Sequence, residues 1–477
     1  MPIRNIQLIL ISILICVCCF SRTSLKEQIF RYVLKTVETK SLEPISEQEL
    51  LEGAMFGLTY KVNDLPYTTY LPFEEKVLYE HEIQGQFAGI GISLLQKSPI
   101  TGEFFFMPIP DTPAQQAGLK FGDSIVAVDD EEISGFSISE LIEKLRGNEG
   151  STVKLKIRPK SKRMEQFNED ISDLILDRRR ENEAESEFCE LTLTRKLIQH
   201  EIVTGDFRNS DGSWNFVLET EPSIGYICIN QFTETTAYEF INALKTLNAN
   251  PEVQSLILDL RGNPGGFLPA AVEICDQFLE AGSDIVTTKY RNGAVKNRFV
   301  ATDIKKYKYP LVVLIDNNSA SSSEIVSAAL QDYDQAIIVG TRSYGKGTVQ
   351  ELIPLPCRMG LLHLTVAKFW RPSGIPIHRS KDALEEDSWG VHPNEGYEIV
   401  LSPLQTIFMH WMRQLRTFQK IDHLETDQNI ALNLINLLNQ EESTKETAIF
   451  NPQGNNPYFD PQLEKGIELL KKGSLPK

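Results

Sequence analysis

The 477-residue sequence predicts a multidomain chain, α/β in its larger part, with a smaller β domain ahead of it. Three observations carry that reading. From about residue 190 to 400, buried-strand runs ("SLILDLRGN", "PLVVLID", "AIIVGT") alternate with helical spacing such as Leu268, Val272, Cys275 and Leu279. From about 85 to 160, short β-like runs ("GIGISLL", "EFFFMPI", "SIVAVDD", "TVKLKIR") are separated by turns. Before both, Leu50, Leu51, Ala54, Met55 and Leu58 keep helical spacing behind Ser46-Glu47-Gln48-Glu49, a capping-box pattern.

Residues 1–24 stand apart. "MPIRNIQLILISILICVCCFS" has one Arg and then a nearly unbroken apolar run from Ile6 to Phe20. The run is short for a membrane span and of the right length for the core of a secretory signal. The expectation is export to the periplasm or cell envelope, with the segment cleaved or kept as a membrane tether. An uncleaved anchor facing the cytoplasm is the alternative. Cys16, Cys18 and Cys19 hint at lipid attachment, but the small residues expected before such a cysteine are missing. Cys189, Cys228, Cys275 and Cys357 form no C-x-x-C pair, which argues against a metal knuckle or a redox dithiol. Cys228 and Cys275 sit in apolar patterns and read as core. No metal and no cofactor are expected. A net charge of −17 argues against a nucleic-acid partner.

Five further segments follow. Residues 25–84 read as a helical packing segment. Residues 85–160 carry "DTPAQQAGLKFGDSIVAVDDEEISG", where Pro113 to Gly118 suits a short helix ended by Gly, followed by a strand and a turn; a second helix is expected over Ser139–Arg146. This stretch resembles a PDZ domain. "FAGIGISL", with Gly89, Ile90, Gly91 and Ile92, would be its carboxylate-binding loop and second strand. Residues 161–188, dense in both charge signs, read as an exposed insertion or linker. Residues 189–400 form the α/β core, and 401–477 a helical segment with a Pro/Asn-rich break near 451–458.

The chemistry gathers at strand ends. In "DNNSASSSEIV" a buried strand ends at Asp316 and a helix starts around Ser322–Glu324. A serine there presents its hydroxyl at the mouth of the sheet, beside backbone N–H groups able to hold an oxyanion. Helix capping is the simpler explanation of such a cluster taken alone. "GTRSYGKGTVQ" almost matches a phosphate loop, but Gly347 follows Lys346 where Ser or Thr is required. A lysine between glycines, past a buried strand, can instead serve as a neutral general base if burial depresses its pKa. Gln350 lies four residues on and can orient the amine. In "DLRGNPGG", Gly265 and Gly266 offer unobstructed backbone N–H groups. No G-x-S-x-G elbow occurs, and the seven histidines stand in no recognisable catalytic setting.

Taken together, these pieces resemble the carboxyl-terminal processing (tail-specific) proteases, Ser/Lys peptidases with a PDZ domain. The likeness runs from about 45 to 400 in the family's order, through "ELTLTRKLI", "GYICINQF", "LILDLRGNPGG", "NSASSSEIVSAALQD", "IIVGTRSYGKGTVQ" and "AKFWRPSGIPIH". It implies a crotonase/Clp-like α/β protease core with Ser321 as nucleophile, Lys346 as base and Gln350 as its helper. It further implies an oxyanion hole from the N–H of Ser322 and of Gly265 or Gly266. Ser322 departs from the family, which often has Ala there, and adds a rival hydroxyl. The implied substrates are proteins or peptides with apolar C-terminal tails, and a homodimer through the terminal helices is expected. A PDZ peptide-binding scaffold whose protease site has lapsed is the alternative, and a nucleotidase rests only on the near-miss phosphate loop.

Overall fold

The computed structural model describes residues 24–62, 67–97, 104–109, 111–120, 123–159, 188–199, 201–302, 307–401 and 460–473, with positions 406, 409 and 413. The leader expected over 1–24, with Cys16, Cys18 and Cys19, lies outside them but for its last residue. So do residues 160–187 of the charged stretch and the break near 451–458. No helix among the described residues is long and apolar enough to cross a membrane. The chain divides into two compact units, Met1–Lys76 with Gln350–Thr365, and Val77–Val349 with Val366–Lys477.

In the first unit, helices Leu25–Lys40 and Glu47–Lys61 open on Ser24 and Ser46. Ser46 and Glu49 form the expected capping box, with both reciprocal bonds made. The expected helical segment 25–84 also contains Thr69–Leu71, a strand paired antiparallel with Leu361, Leu362 and His363. Tyr70 is fully buried there, edge-on to Phe56 at 5.1 Å, and its hydroxyl donates to the Met359 carbonyl at 2.5 Å. A three-residue strand whose partner lies almost 300 positions away leaves no local periodicity to read.

The second unit begins with the β domain. Strands Ile92–Lys97, Phe104–Pro108, Ser124–Val128, Thr152–Arg158 and Cys189–Thr194 form one antiparallel sheet in that order. Phe104, Phe106, Ile125, Ile133, Leu141 and Leu155 fill its core. The short helix Pro113–Gln116 ends at Gly118, whose φ of +82° favours glycine. Helix Ile138–Leu145 starts one residue before the expected place, behind a Ser137/Glu140 capping box.

Strand pairing crosses two of the expected domain boundaries. Cys189–Thr194, expected in the α/β core, pairs with Thr152–Arg158 in register from Thr152↔Thr194 to Ile157↔Cys189. The charged insertion therefore falls inside the β domain, between two paired strands. Hairpin loops usually hold ~2–5 residues, so the long polar stretch hid the pairing. At the other end, Gln86–Gly89 pairs with Lys196–Gln199, outside that sheet.

The α/β core is a five-stranded sheet ordered Val203–Thr204, Ile224–Ile229, Ser255–Asp259, Leu311–Ile315 and Ala336–Gly340, with the last four strands parallel. Helices Thr236–Ala249, Leu268–Asp276 and Ser322–Asp332 pack through Phe240, Leu244, Ile274, Ile325 and Ala329 on one face. Helix Pro461–Lys472 packs through Ile467 and Leu469 on the other. With both faces covered, the parallel strands are buried at every position, which is why they read as unbroken apolar runs. Cys228 and Cys275 are buried in this core. Helix Pro461–Lys472 of the expected 401–477 segment thus packs on the core sheet. Gly466 lets it approach: a Cβ there would lie 3.2 Å from Val312 Cγ1.

Register places the functional segments. Asp259 pairs with Leu314, and Ile315 with Gly340, so three neighbouring strands end at nearly one level. Segments 260–267, 316–321 and 341–347 all leave from the carboxyl edge, where open α/β sheets build their sites.

Candidate active site

Ser321 precedes helix Ser322–Asp332 with φ 54° and ψ −111°, a conformation that costs a side-chain-bearing residue ~1–3 kcal/mol. Its serine neighbours are committed elsewhere. Ser319, Ser322 and Ser323 donate their hydroxyls to the carbonyls of Leu260, Gly266 and Asn263 at 2.8, 2.9 and 3.0 Å. Ser321 makes no such bond, and at 9% it is the most exposed of the four. The hydroxyl of Ser322, a rival on paper, is thereby turned to the glycine loop.

Those bonds sew the two loops together. Gly262 N–H donates to Asp316 Oδ1 at 2.9 Å, and Ala320 N–H to the Asn263 carbonyl at 3.0 Å. Gly265 lies against the nucleophile candidate: a Cβ on it would meet Ser321 Cβ at 2.7 Å and Ser322 N at 2.8 Å. Its φ of +91° and this crowding both require glycine. The pair expected to donate to an oxyanion now separates. Gly265 N–H is taken by Asn263 Oδ1 at 2.8 Å, within the turn itself. Gly266 N–H and Ser322 N–H have no hydrogen-bond partner among the described residues.

Lys346 reaches the same place through a carboxylate. Glu324, fully buried in the first turn of the helix, accepts Ser321 N–H and Lys346 N–H on one oxygen, Oε2, each at 2.8 Å. Its Oε1 accepts Ser343 Oγ at 2.6 Å and Gly345 N–H at 2.7 Å. The main-chain nitrogens of Ser321 and Lys346 are thus two hydrogen bonds apart. Burial depresses the Lys346 ammonium below the ordinary lysine range, and the Glu324 carboxylate opposes this without reversing it. Burial likewise pushes the Glu324 carboxyl up to about 7, against its four donors.

The glycines around Lys346 have steric causes. A Cβ on Gly345 would meet Arg379 Cβ at 2.7 Å and Trp389 Cε3 at 2.8 Å; one on Gly347 would lie 2.1 Å from His378 N. The segment then enters strand Thr348–Pro354 and not a helix, so no helix N-terminus stands behind Lys346 to cradle phosphate. That overturns the phosphate-loop reading. The wall it packs on is held by Arg342, stacked 3.2 Å from the centroid of Trp389 and bonded to the carbonyls of Glu385, Asp387 and Trp389.

Gln350 and the loop residues of the β domain complete the expected set. Gln350 belongs to the first unit, where its Nε2 donates to Thr365 Oγ1 at 3.2 Å. In the β domain, Gly91 has φ +81°, and its carbonyl accepts Ile109 N–H and Thr112 Oγ1. Ile90 turns into the core, while Ile92 opens strand Ile92–Lys97, an edge of its sheet. Gly89 lies in the ribbon with Lys196–Gln199. Ile138 and Ile142, one turn apart on helix Ile138–Leu145, stay exposed at 45% and 36%.

Comparison with known proteins fits this architecture. Residues 223–394 match the model of peptidase family S41, and 108–159 that of the PDZ domain. The carboxy-terminal-processing protease of Bartonella bacilliformis is 33% identical over 353 residues, covering 73% of this chain and 71% of that protein. The chain belongs to the carboxy-terminal-processing proteases of family S41. Within the family, the carboxy-terminal processing protease CtpB of Bacillus subtilis is 31% identical over 345 residues, or 72% of this chain; the match spans 64% of that relative's length. Among solved structures, a photosystem II D1 C-terminal processing protease is 23% identical, covering 77% of this chain and 86% of that one, with a TM-score of 0.45.

Two parts of the site escaped the sequence reading. Glu324 stood in view as the fourth residue of Ser321-x-x-Glu324, a capping-box spacing that would have flagged it. Ser343 gave no such signal, because its partners Glu324 and Val391 are non-local.

Proposed function

We propose that this chain is a serine endopeptidase that cleaves proteins near their C-terminal tails, with Ser321 as nucleophile and Lys346 as general base. The convergence of Ser321 N–H and Lys346 N–H on one oxygen of Glu324 is the observation that carries this reading. Neutral Lys346 takes the proton of Ser321 as the hydroxyl oxygen attacks a peptide carbonyl. Ser322 and Gly266 N–H groups receive the oxyanion. The lysine then protonates the leaving amine, and water frees the acyl group. Gln350 is assigned to orienting the Lys346 amine on sequence spacing alone.

Tail recognition is assigned to the PDZ domain. The open edge of Ile92–Lys97 supplies main-chain pairing, the Gly89–Ile92 loop the carboxylate contact, and Ile138 and Ile142 an apolar lining. Export with the leader cleaved or kept as a tether, and a homodimer through the terminal helices, complete the reading. The test is incubation of wild type and Ser321→Ala with a reporter bearing an apolar tail, followed by intact mass. Wild type shortens the reporter, and the variant binds it uncut. A wild type that binds tails and never cuts them establishes the lapsed scaffold instead.

A further inference from the structure

The Glu324 carboxylate bonds main-chain groups of both segments that carry the proposed dyad, which a Tyr344 N–H bond to the Ser319 carbonyl at 3.0 Å also joins. We infer that Glu324 is a positioning residue, whose ionised carboxylate holds Ser321 and Lys346 in reacting register. The inference rests on the Ser321/Lys346 reading and assigns that site a required third member.

The geometry is specific to a carboxylate. Four donors from two segments meet two oxygens: Ser321 N–H and Lys346 N–H on Oε2, Ser343 Oγ and Gly345 N–H on Oε1. A carboxylate is acceptor-only at both oxygens, so it satisfies all four. A protonated acid carries its own O–H, which must displace a donor, and an amide replaces one oxygen with a second pair of donors. The Ser321 end of this bridge is the residue held at φ 54°, which needs an outside restraint to persist. The Ser343 end extends further, because Ser343 Oγ also accepts Val391 N–H at 2.7 Å. The bridge thus joins the helix start, the lysine segment and the Trp389–Val391 wall.

The charged and titratable neighbours are few. On the lysine segment the Lys346 amine faces Glu324. His378 backs Gly347 from the next segment, and Arg342 and Arg379 are stacked on Trp389. With burial holding the carboxyl near 7, ionisation of Glu324 falls within the working range of pH. Two groups must then lose protons before the site works, Glu324 and Lys346.

Both the proton count and a variant test this. In wild type, the plot of log(kcat/KM) against pH, with a peptide lacking titratable groups, rises with slope one above about pH 7 and steepens toward two below it. Glu324→Gln folds, loses about a hundredfold in kcat with KM within about threefold, and shows slope one throughout. Ser343→Ala, which removes one donor, loses about tenfold in kcat on the same pattern. A wild-type slope of one down to pH 5.5, or Glu324→Gln with kcat within about threefold of wild type, overturns the inference. If Glu324→Gln does not fold, the wild-type slope and Ser343→Ala decide it. Ser321→Ala, run alongside, separates the two readings: full activity there overturns the dyad, whereas an inactive Ser321→Ala with an active Glu324→Gln overturns the positioning role alone.

Discussion

Gly265 and Ser321 are packed so closely that a β-carbon on the first would lie 2.7 Å from that of the second. The glycine loop and the strained serine therefore form one rigid surface. Replacing Gly265 with Ala forces a Cβ to 2.5 Å from the Ala320 carbonyl oxygen, at a φ of +91°. The expected outcome is more than ~1 kcal/mol lost in urea unfolding and about a hundredfold lost in kcat. Steady-state kinetics on folded protein check the second part.

The same loop is anchored from the far end of the chain. Arg261 is buried between Asp259 and Asp460, bonding the first at 2.7 Å and the second at 2.8 Å. Asp460 also caps helix Pro461–Lys472 by accepting Gln462 and Leu463 N–H. Burial pushes the Asp259 carboxyl up, but Arg261 and Arg413 outweigh it and hold the group ionised, well below the usual carboxylate range. Asp460→Ala leaves Arg261 half-paired in the core and removes the cap. It should cost ~3 kcal/mol in denaturant unfolding, toward the low end for a broken buried pair because Asp259 remains.

Glu324 should leave a mark on stability as well as on rate. Its carboxyl is raised from the ordinary 4.5 to about 7, so the folded chain binds that proton more tightly than the unfolded one. The resulting stability is fully present below about pH 4.5 and is lost as pH rises through 7. The change is ~3 kcal/mol, from burial that outweighs four hydrogen bonds. Urea unfolding of wild type and Glu324→Gln at several pH values isolates it. The difference between them should shift by that amount between pH 4.5 and 8, always toward the variant at high pH.

Restoring the phosphate-loop consensus should damage the protein. Gly347→Ser places a Cβ 2.1 Å from His378 N, so the Lys346 segment must shift. The variant is expected to lose at least tenfold in peptidase rate and to gain no thermal shift with Mg-ATP. Stabilisation of wild type by Mg-ATP would revive the nucleotide reading.

Some of this architecture was legible in the chain because it is local. The helix start after Ser321 and the glycines bracketing Lys346 are short motifs whose spacing is their structure. The parallel strands were legible for a related reason: covered on both faces, Leu311–Ile315 and Ala336–Gly340 become apolar at every position. What stayed hidden depends on distant partners. Cys189–Thr194 is separated from its sheet neighbour by charged residues that carry no pairing signal. Gly265 and Gly266 cannot be told apart until the Asn263 side chain is seen folding back on the first. Arg261 and Asp460 lie far apart in the chain, and only the fold brings them together.

The most direct measurement of the central claim is the rate and site of covalent labelling by a fluorophosphonate in wild type and Lys346→Ala, mapped by peptide mass. The account predicts a single adduct on Ser321 in wild type, formed at least a hundredfold more slowly when Lys346 is lost. Labelling at another residue, or equal labelling of Ser321 without Lys346, would contradict it.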